Sequence, residues 1–196
     1  MAAIMPDASD ASSPLHYPAA QTALLLLDFQ NFIIAMCGSD GSTAATQATR
    51  LRAWALEQGI MILHSIVDIN GEASPTCKGW QRVATMLSTL RGQPDDAEEA
   101  ADVLPLQAAT QQPAALGAMA LLAEHDIKSL IICGLSTSGA VLRTAVPATD
   151  EGFVVTVVRE ACADPRAELH EVLMAQVLPS RAHVVGVEEV IGWRLG

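Results

Sequence analysis

Three stretches of the chain carry residues whose types and spacing could do chemistry. Asp28 closes the apolar run TALLLL and is followed by Phe29, Gln30, Asn31 and Phe32. Asp68, Asn70 and Glu72 follow a second apolar run that contains His64, and Lys78 comes shortly after. The stretch GLSTSGAVLRTA, residues 134–145, leads a greasy segment through a small-residue turn into a helical pattern. Its tip presents Ser136, Thr137, Ser138 and then Ala140. A hydroxyl there becomes a nucleophile only with a general base in hydrogen-bonding reach. The reading adopted for the three hydroxyl residues is plainer: they cap the following helix and offer backbone amides to a ligand. Asp28 reads either as an acid–base group or as a structural carboxylate bonding backbone amides. Gln30 and Asn31 could orient a ligand or cap a turn.

These residues need elements that bring them together. TALLLL (22–27), IMILHSIV (60–67), KSLIICG (128–134) and FVVTVV (153–158) are short runs apolar on both faces, as the central strands of a parallel sheet are. AHVVGV (182–187) is a shorter candidate, and DVLPLQ (102–107) fits only an edge because Pro105 has no amide to donate. Helical patterns lie between them at 43–58, 79–90, 114–125, 137–151 and 167–178. The first places Leu51, Ala55 and Leu56 on one face and stops at Gly59, a helix-ending glycine. Trp80, Val83, Met86, Leu87 and Leu90 line the second, and Pro147 predicts a kink or early break in the fourth. Strands alternating with helices imply a parallel sheet covered on both faces. In such sheets the active crevice lies at the carboxyl ends of the strands, where all three stretches point.

Composition narrows the function classes. Half of the residues are hydrophobic (51%) and 17% are charged, which argues for one well-filled domain over residues 21–196 and against disorder. Residues 1–20, with no Lys or Arg, read as a mobile tail to about Pro14, not as a secretory signal. The net charge of −11 disfavours nucleic acid and anionic membrane surfaces as partners, and no apolar run approaches a membrane span of about 20 residues. Cys37, Cys77, Cys133 and Cys162 are widely spaced and read as reduced thiols of a cytoplasmic protein. GLSTSG lacks the Gly-Lys-Ser/Thr of a phosphate loop.

Taken together, LLDFQN, LIICGLSTSGAVLRTA, EGFVVTVVREACAD and HEVLMAQVLPSRAHVV resemble the isochorismatase-like, or cysteine hydrolase, superfamily over roughly residues 20 to 192. The resemblance implies a three-layer α/β/α sandwich around a mainly parallel six-stranded sheet, usually assembled as an oligomer. It also implies a catalytic aspartate, lysine and cysteine. The aspartate matches Asp28. Counting back from EHDI places the lysine position on Gln107, and neither Leu106 nor Ala108 restores it. Gly134 and Thr137 match the motif around the cysteine, whose own position falls on Ala140. The resemblance further implies a cis peptide at Leu135–Ser136 and a structural role for His170. Metal-dependent relatives carry Asp-x-His with further histidines near strand two. That pattern is missing here, so neither metal nor cofactor is expected.

A thioester route needs a thiolate at the position of Ala140. Isochorismatase, a similar family member, hydrolyses a vinyl ether by acid chemistry without a cysteine, and its acid corresponds to Asp28. That carboxyl must keep a proton near neutral pH, which burial beside Leu24 to Leu27 and the missing lysine would both promote. The expectation is therefore cysteine-independent acid–base chemistry on a small molecule, such as vinyl-ether or related hydrolysis. Gln30, Phe32, Asp68, Leu135, Ser136, Thr137, Ser138 and Gly139 form the substrate-binding set. The alternative is a pseudoenzyme, a binding or scaffold subunit that has shed its chemistry at Gln107 and Ala140.

Overall fold

The computed structural model describes residues 7–67, 75–76, 78–91 and 121–195. Among these residues five strands form one parallel sheet: β1 (Thr22–Leu27), β2 (Met61–Ser65), β3 (Ser129–Leu135), β4 (Val154–Ala163) and β5 (His183–Val185). Their spatial order is β2-β1-β3-β4-β5. The expected edge strand at 102–107 lies outside the described residues, as does most of the helix expected at 114–125, whose end is helical at 121–124. The helices are α1 (Asn31–Met36), α2 (Gly38–Gln58), α3 (Trp80–Leu90), α4 (Leu142–Asp150), α5 (Ala167–Val172) and α6 (Val187–Ile191).

Three of the four unbroken apolar runs become the inner strands β1, β3 and β4, covered on both faces, whereas the run expected as a central strand at 60–67 forms β2, which ends the described sheet and is half-buried except at Leu63. Leu25 and Leu27 of β1, with Leu130 and Ile132 of β3, pack into one core with Val141, Ala145, Ala148 and Met174. Leu24, Leu26, Ile131 and Cys133 point the other way, against Leu51, Trp54, Ala55, Val190 and Trp193. Each fully buried leucine or isoleucine contributes about 1.5–3 kcal/mol, so the sheet centre is the most costly place to disturb.

Several boundaries differ from the sequence reading. β4 runs five residues past Val158, because Arg159 pairs with Glu171 (3.2 Å) and Glu160 accepts the Val187 N–H (2.9 Å). Its charged residues thus have partners within the sheet's surroundings. α2 begins at Gly38 and ends, as expected, at Gly59 in the left-handed conformation. Leu56 is on its exposed side, five residues and about 140° from Leu51, while Ala44, Ala48 and Trp54 complete the buried face. Pro147 does not stop α4 before Asp150. The amide it lacks would have bonded the carbonyl of Arg143, an exposed residue, where water can substitute. From Asp7 onward the segment expected as a tail is tied to the domain: Ser13 is buried, and His183 Nε2 donates to the Ser12 carbonyl (2.8 Å). No helix among the described residues is long and apolar enough to cross a membrane.

Candidate functional site

Parallel register sets the geometry of the site. Leu27 is level with Ser65 of β2 and with Gly134 of β3, so Asp28 emerges beside both strand ends. Its N–H donates to the Ser65 carbonyl (2.8 Å), and its Oδ1 accepts from the Ser65 hydroxyl (3.2 Å). The backbone at Asp28 is left-handed (φ 58°), a conformation that Asp and Asn tolerate better than most residues. Burial holds the Asp28 carboxyl up at about 6, against the opposing pull of the Ser65 hydroxyl and the Arg143 guanidinium. The carboxyl therefore gives up its proton at a higher pH than an ordinary aspartate does.

Gly134 makes that approach possible. A Cβ there would stand 2.6 Å from Leu27 Cβ and 2.9 Å from the Leu27 carbonyl oxygen, so any side chain would push β1 and β3 apart beneath Asp28. Beyond it the Leu135–Ser136 peptide is cis, as the family resemblance implies. The chain then enters a π-helical turn, Thr137–Val141, closed by the Val141 N–H donating to the Ser136 carbonyl (3.2 Å). At Gly139 a Cβ would meet Ser136 Oγ at 2.7 Å, so glycine leaves that hydroxyl room to lie over the turn.

The expected roles of the hydroxyl residues separate. Ser136 occupies the N-cap position, but its side chain makes no cap bond. Thr137 is fully buried and shares a 2.8 Å hydrogen bond with His170 Nδ1, and burial keeps that imidazole below its ordinary pKa and neutral. The Ser138 N–H donates to Asp164 Oδ2 (2.8 Å), whose Oδ1 accepts from the Arg166 N–H (3.1 Å). Burial would raise Asp164, but the Ser138 and Arg166 bonds outweigh it and hold the carboxyl below its usual range. That amide is thus committed within the protein. Leu135 is buried at the end of β3, whereas Ser136, Ser138, Gly139 and Ala140 are half-buried, with Ala140 packed against the α4-side core.

Gln30 serves as a clamp. Its Nε2 donates to the Val67 carbonyl (3.1 Å) and its Oε1 accepts the Val67 N–H (2.7 Å), lacing the loop after β1 to the loop after β2. Asn31 opens α1, and Phe32 on the same helix is half-buried. Asp68 and Gln107 lie outside the described residues, as do Asn70, Glu72 and Cys77. Lys78 is exposed. Among the described residues no group of three or more His, Cys, Asp or Glu side chains comes together.

The described thiols are unsuited to nucleophilic work. Cys37, Cys133 and Cys162 are free and buried. Burial pushes Cys37 to about 11, Cys162 to about 12 and Cys133 well above its ordinary value. A thiol that holds its proton so firmly attacks nothing at neutral pH. Three residues important here escaped the sequence reading: Ser65, Asp164 and Arg143. The first two stand at the end of a strand or one residue past it, as Asp28 does, and that position was the available signal.

A parallel sheet covered on both faces, with an aspartate at the end of β1 and a tight turn after β3, defines a doubly wound α/β fold with its candidate site at the strand ends. Residues 22–189 match the isochorismatase domain, and the chain belongs to that family. It is 28% identical over 199 residues to the uncharacterized isochorismatase family protein YecD of Escherichia coli O157:H7, covering 90% of this chain and 98% of that one. Its fold is similar to that of an isochorismatase family protein from Burkholderia thailandensis (TM-score 0.66, 18% identity, 88% of this chain and 94% of that chain). It is similar also to the YcaC gene product of Escherichia coli, an octameric hydrolase of unknown specificity (TM-score 0.66, 17% identity, 89% and 79%).

Proposed function

We propose that this protein is a hydrolase of small organic molecules that works through Asp28 as a general acid, without a covalent enzyme intermediate. The observation that carries the reading is the Asp28 carboxyl, held up at about 6 by burial, at the strand end where the family places its catalytic aspartate. The favoured reaction is hydrolysis of a vinyl ether or a related C–O bond. Asp28 gives its proton to the enol carbon, leaving an oxocarbenium ion. Water adds to that ion and loses a proton, which returns to the Asp28 carboxylate. The hemiketal then collapses to a carbonyl compound and an alcohol. Nothing in this sequence of steps requires a thiol, in keeping with Ala140 and with the protonated state of the three described cysteines.

A binding-only role is the second reading, favoured by Ala140 at the position of the family nucleophile. Turnover of a vinyl-ether substrate panel by the wild type and by Asp28→Asn separates the two. Loss of rate by about 10²-fold or more supports the acid. Unchanged turnover in the variant removes the acid, and no turnover in either protein supports the binding role. We also propose a homo-oligomer, on the strength of the octameric YcaC relative and of the exposed Met36, Ile66 and Trp80, which light scattering on the purified protein tests.

A further inference from the structure

Asp28 reaches Ser65 only because the chain leaves its strand there. In the parallel pair Leu27 is level with Ser65, and level neighbours present their side chains on the same face of a sheet. Leu25, Leu27 and Leu63 accordingly share one core, so Ser65 belongs to that face as well. Alternation along β1 would turn residue 28 to the other face, that of Leu24 and Leu26. The left-handed backbone at Asp28 (φ 58°) ends the alternation and brings the carboxyl to the Ser65 side, where Oδ1 accepts the hydroxyl at 3.2 Å. A left-handed residue with a side chain costs free energy and persists only where its surroundings hold it.

The surroundings do hold it. The Asp28 N–H donates to the Ser65 carbonyl (2.8 Å), so backbone and side chain of residue 28 are both fastened to one residue. Two residues further along each chain, the Gln30 side-chain amide bonds both the carbonyl and the N–H of Val67 (3.1 and 2.7 Å). Gln30 is only 4% exposed, so water competes little for these bonds. The clamp continues the β1–β2 pairing beyond its last ladder residue and keeps Ser65 against Asp28. Among the described residues nothing bonds the other carboxyl oxygen, Asp28 Oδ2.

We infer that Ser65 is a positioning residue for the acid: its hydroxyl occupies Oδ1 and thereby places the Asp28 proton on Oδ2, the oxygen that delivers it. This rests on the acid reading of Asp28 and adds to it the atom that carries the proton and the side chain that keeps it there. A neutral carboxyl has one carbonyl oxygen and one hydroxyl oxygen. The oxygen that accepts the Ser65 hydroxyl is the carbonyl one, so the acidic proton sits on its partner. Once Asp28 is ionised the same bond grows stronger, because its acceptor is charged. Ser65 therefore opposes the upward pull of burial and keeps the acid able to part with its proton near neutral pH. Among the described residues the charged group that acts on Asp28 is Arg143 of α4. Asp164 beyond β4 is tied to the Ser138 and Arg166 amides, and His170 of α5 is bonded to Thr137. None of these changes when Ser65 is replaced, so the replacement reads the hydroxyl alone.

The test uses the full chain with isotope-labelled aspartate carboxyl carbons, as wild type, Ser65→Ala and Ser65→Thr, titrated by NMR, with Asp28→Asn to assign the resonance. Removing the hydroxyl should raise the Asp28 midpoint by about half to one pH unit, and Ser65→Thr should return it toward the wild-type value. Infrared difference spectra between pH about 5 and about 8 read the place of the proton. With Oδ1 as the carbonyl oxygen, Ser65→Ala should move the Asp28 C=O stretch to higher frequency, since that bond loses its donor. A midpoint that stays or falls in Ser65→Ala, or a C=O band that does not move, overturns the inference. Ser65→Cys keeps the side chain's shape with a weaker donor and should shift both signals part of the way. It takes the place of Ser65→Ala if that variant does not fold, and unmoved signals there overturn the inference equally. None of these readouts needs a substrate, so the two readings fail separately. If Asp28→Asn keeps full turnover while Ser65→Ala shifts both signals, the acid reading falls and the hold of Ser65 on the carboxyl stands. If Asp28→Asn loses turnover while Ser65→Ala shifts neither, the acid stands and Ser65 is discarded.

Discussion

Asp28→Asn should make the protein more stable at neutral pH. The variant preserves shape: Asn tolerates the left-handed backbone of residue 28 and can still accept the Ser65 hydroxyl. What it removes is a charge that the fold handles badly. The Asp28 carboxyl rises from 3.8 to about 6 on folding. At about 1.36 kcal/mol for each pH unit, that rise makes the folded carboxylate costlier by about 3 kcal/mol. The sign follows from proton binding. Below about pH 4 both folded and unfolded chains are protonated at Asp28 and the group costs nothing. Between about 4 and 6 the unfolded chain ionises first, so stability falls as pH rises. Above about 6 the whole penalty is present.

Urea denaturation followed by Trp54 and Trp193, both buried, measures this as a difference between wild type and variant across pH. The difference should be near zero at about pH 3.5 and reach about 3 kcal/mol in favour of the variant by about pH 8. For a chain of this size that is a melting-temperature gain of roughly 6–12 °C. A structural carboxylate would give the opposite sign, since losing it would destabilise the protein at neutral pH. A variant less stable than wild type at pH 8, or a difference indifferent to pH, would refute the reasoning.

Asp164→Asn should behave in the opposite way, destabilising the protein at neutral pH because Ser138 and Arg166 lose a charged acceptor; the deficit should vanish as pH falls below about 4, in the same urea series. Gly134→Ala should cost about 3 kcal/mol or more, since its methyl would overlap Leu27, and it should reduce turnover by displacing Asp28, as paired melting and rate measurements would show. Thr137→Val should cost about 1–3 kcal/mol by leaving His170 Nδ1 without its partner, and Thr137→Ser should recover most of it. Alkylation of the native protein followed by peptide mapping should leave Cys37, Cys133 and Cys162 unmodified until denaturant is added.

The sheet was legible in the chain because burial on both faces writes an unbroken apolar run, and four of the five described strands carry one. The far half of β4 was not legible, since Arg159 and Glu160 look like a strand end until Glu171 and the Val187 amide are seen to satisfy them. The site divides along the same line. Asp28 could be found from its place after TALLLL, a local signal. The clamp from Gln30 to Val67 depends on which strand lies beside β1, and no spacing along the chain encodes that. Asp28 and Asp164 press the point furthest. Each is the first residue after a hydrophobic strand end, on either side of β3, and by pattern alone they are equivalent. Their surroundings make them chemically opposite. Asp28, bonded to one side-chain hydroxyl, is raised by burial to about 6, while Asp164, which receives two backbone amides, is held below the usual carboxylate range. Environments that push two carboxyls apart in this way assign them different tasks. Here one is fitted to donate a proton and the other to hold the Ser138 turn in place beside it.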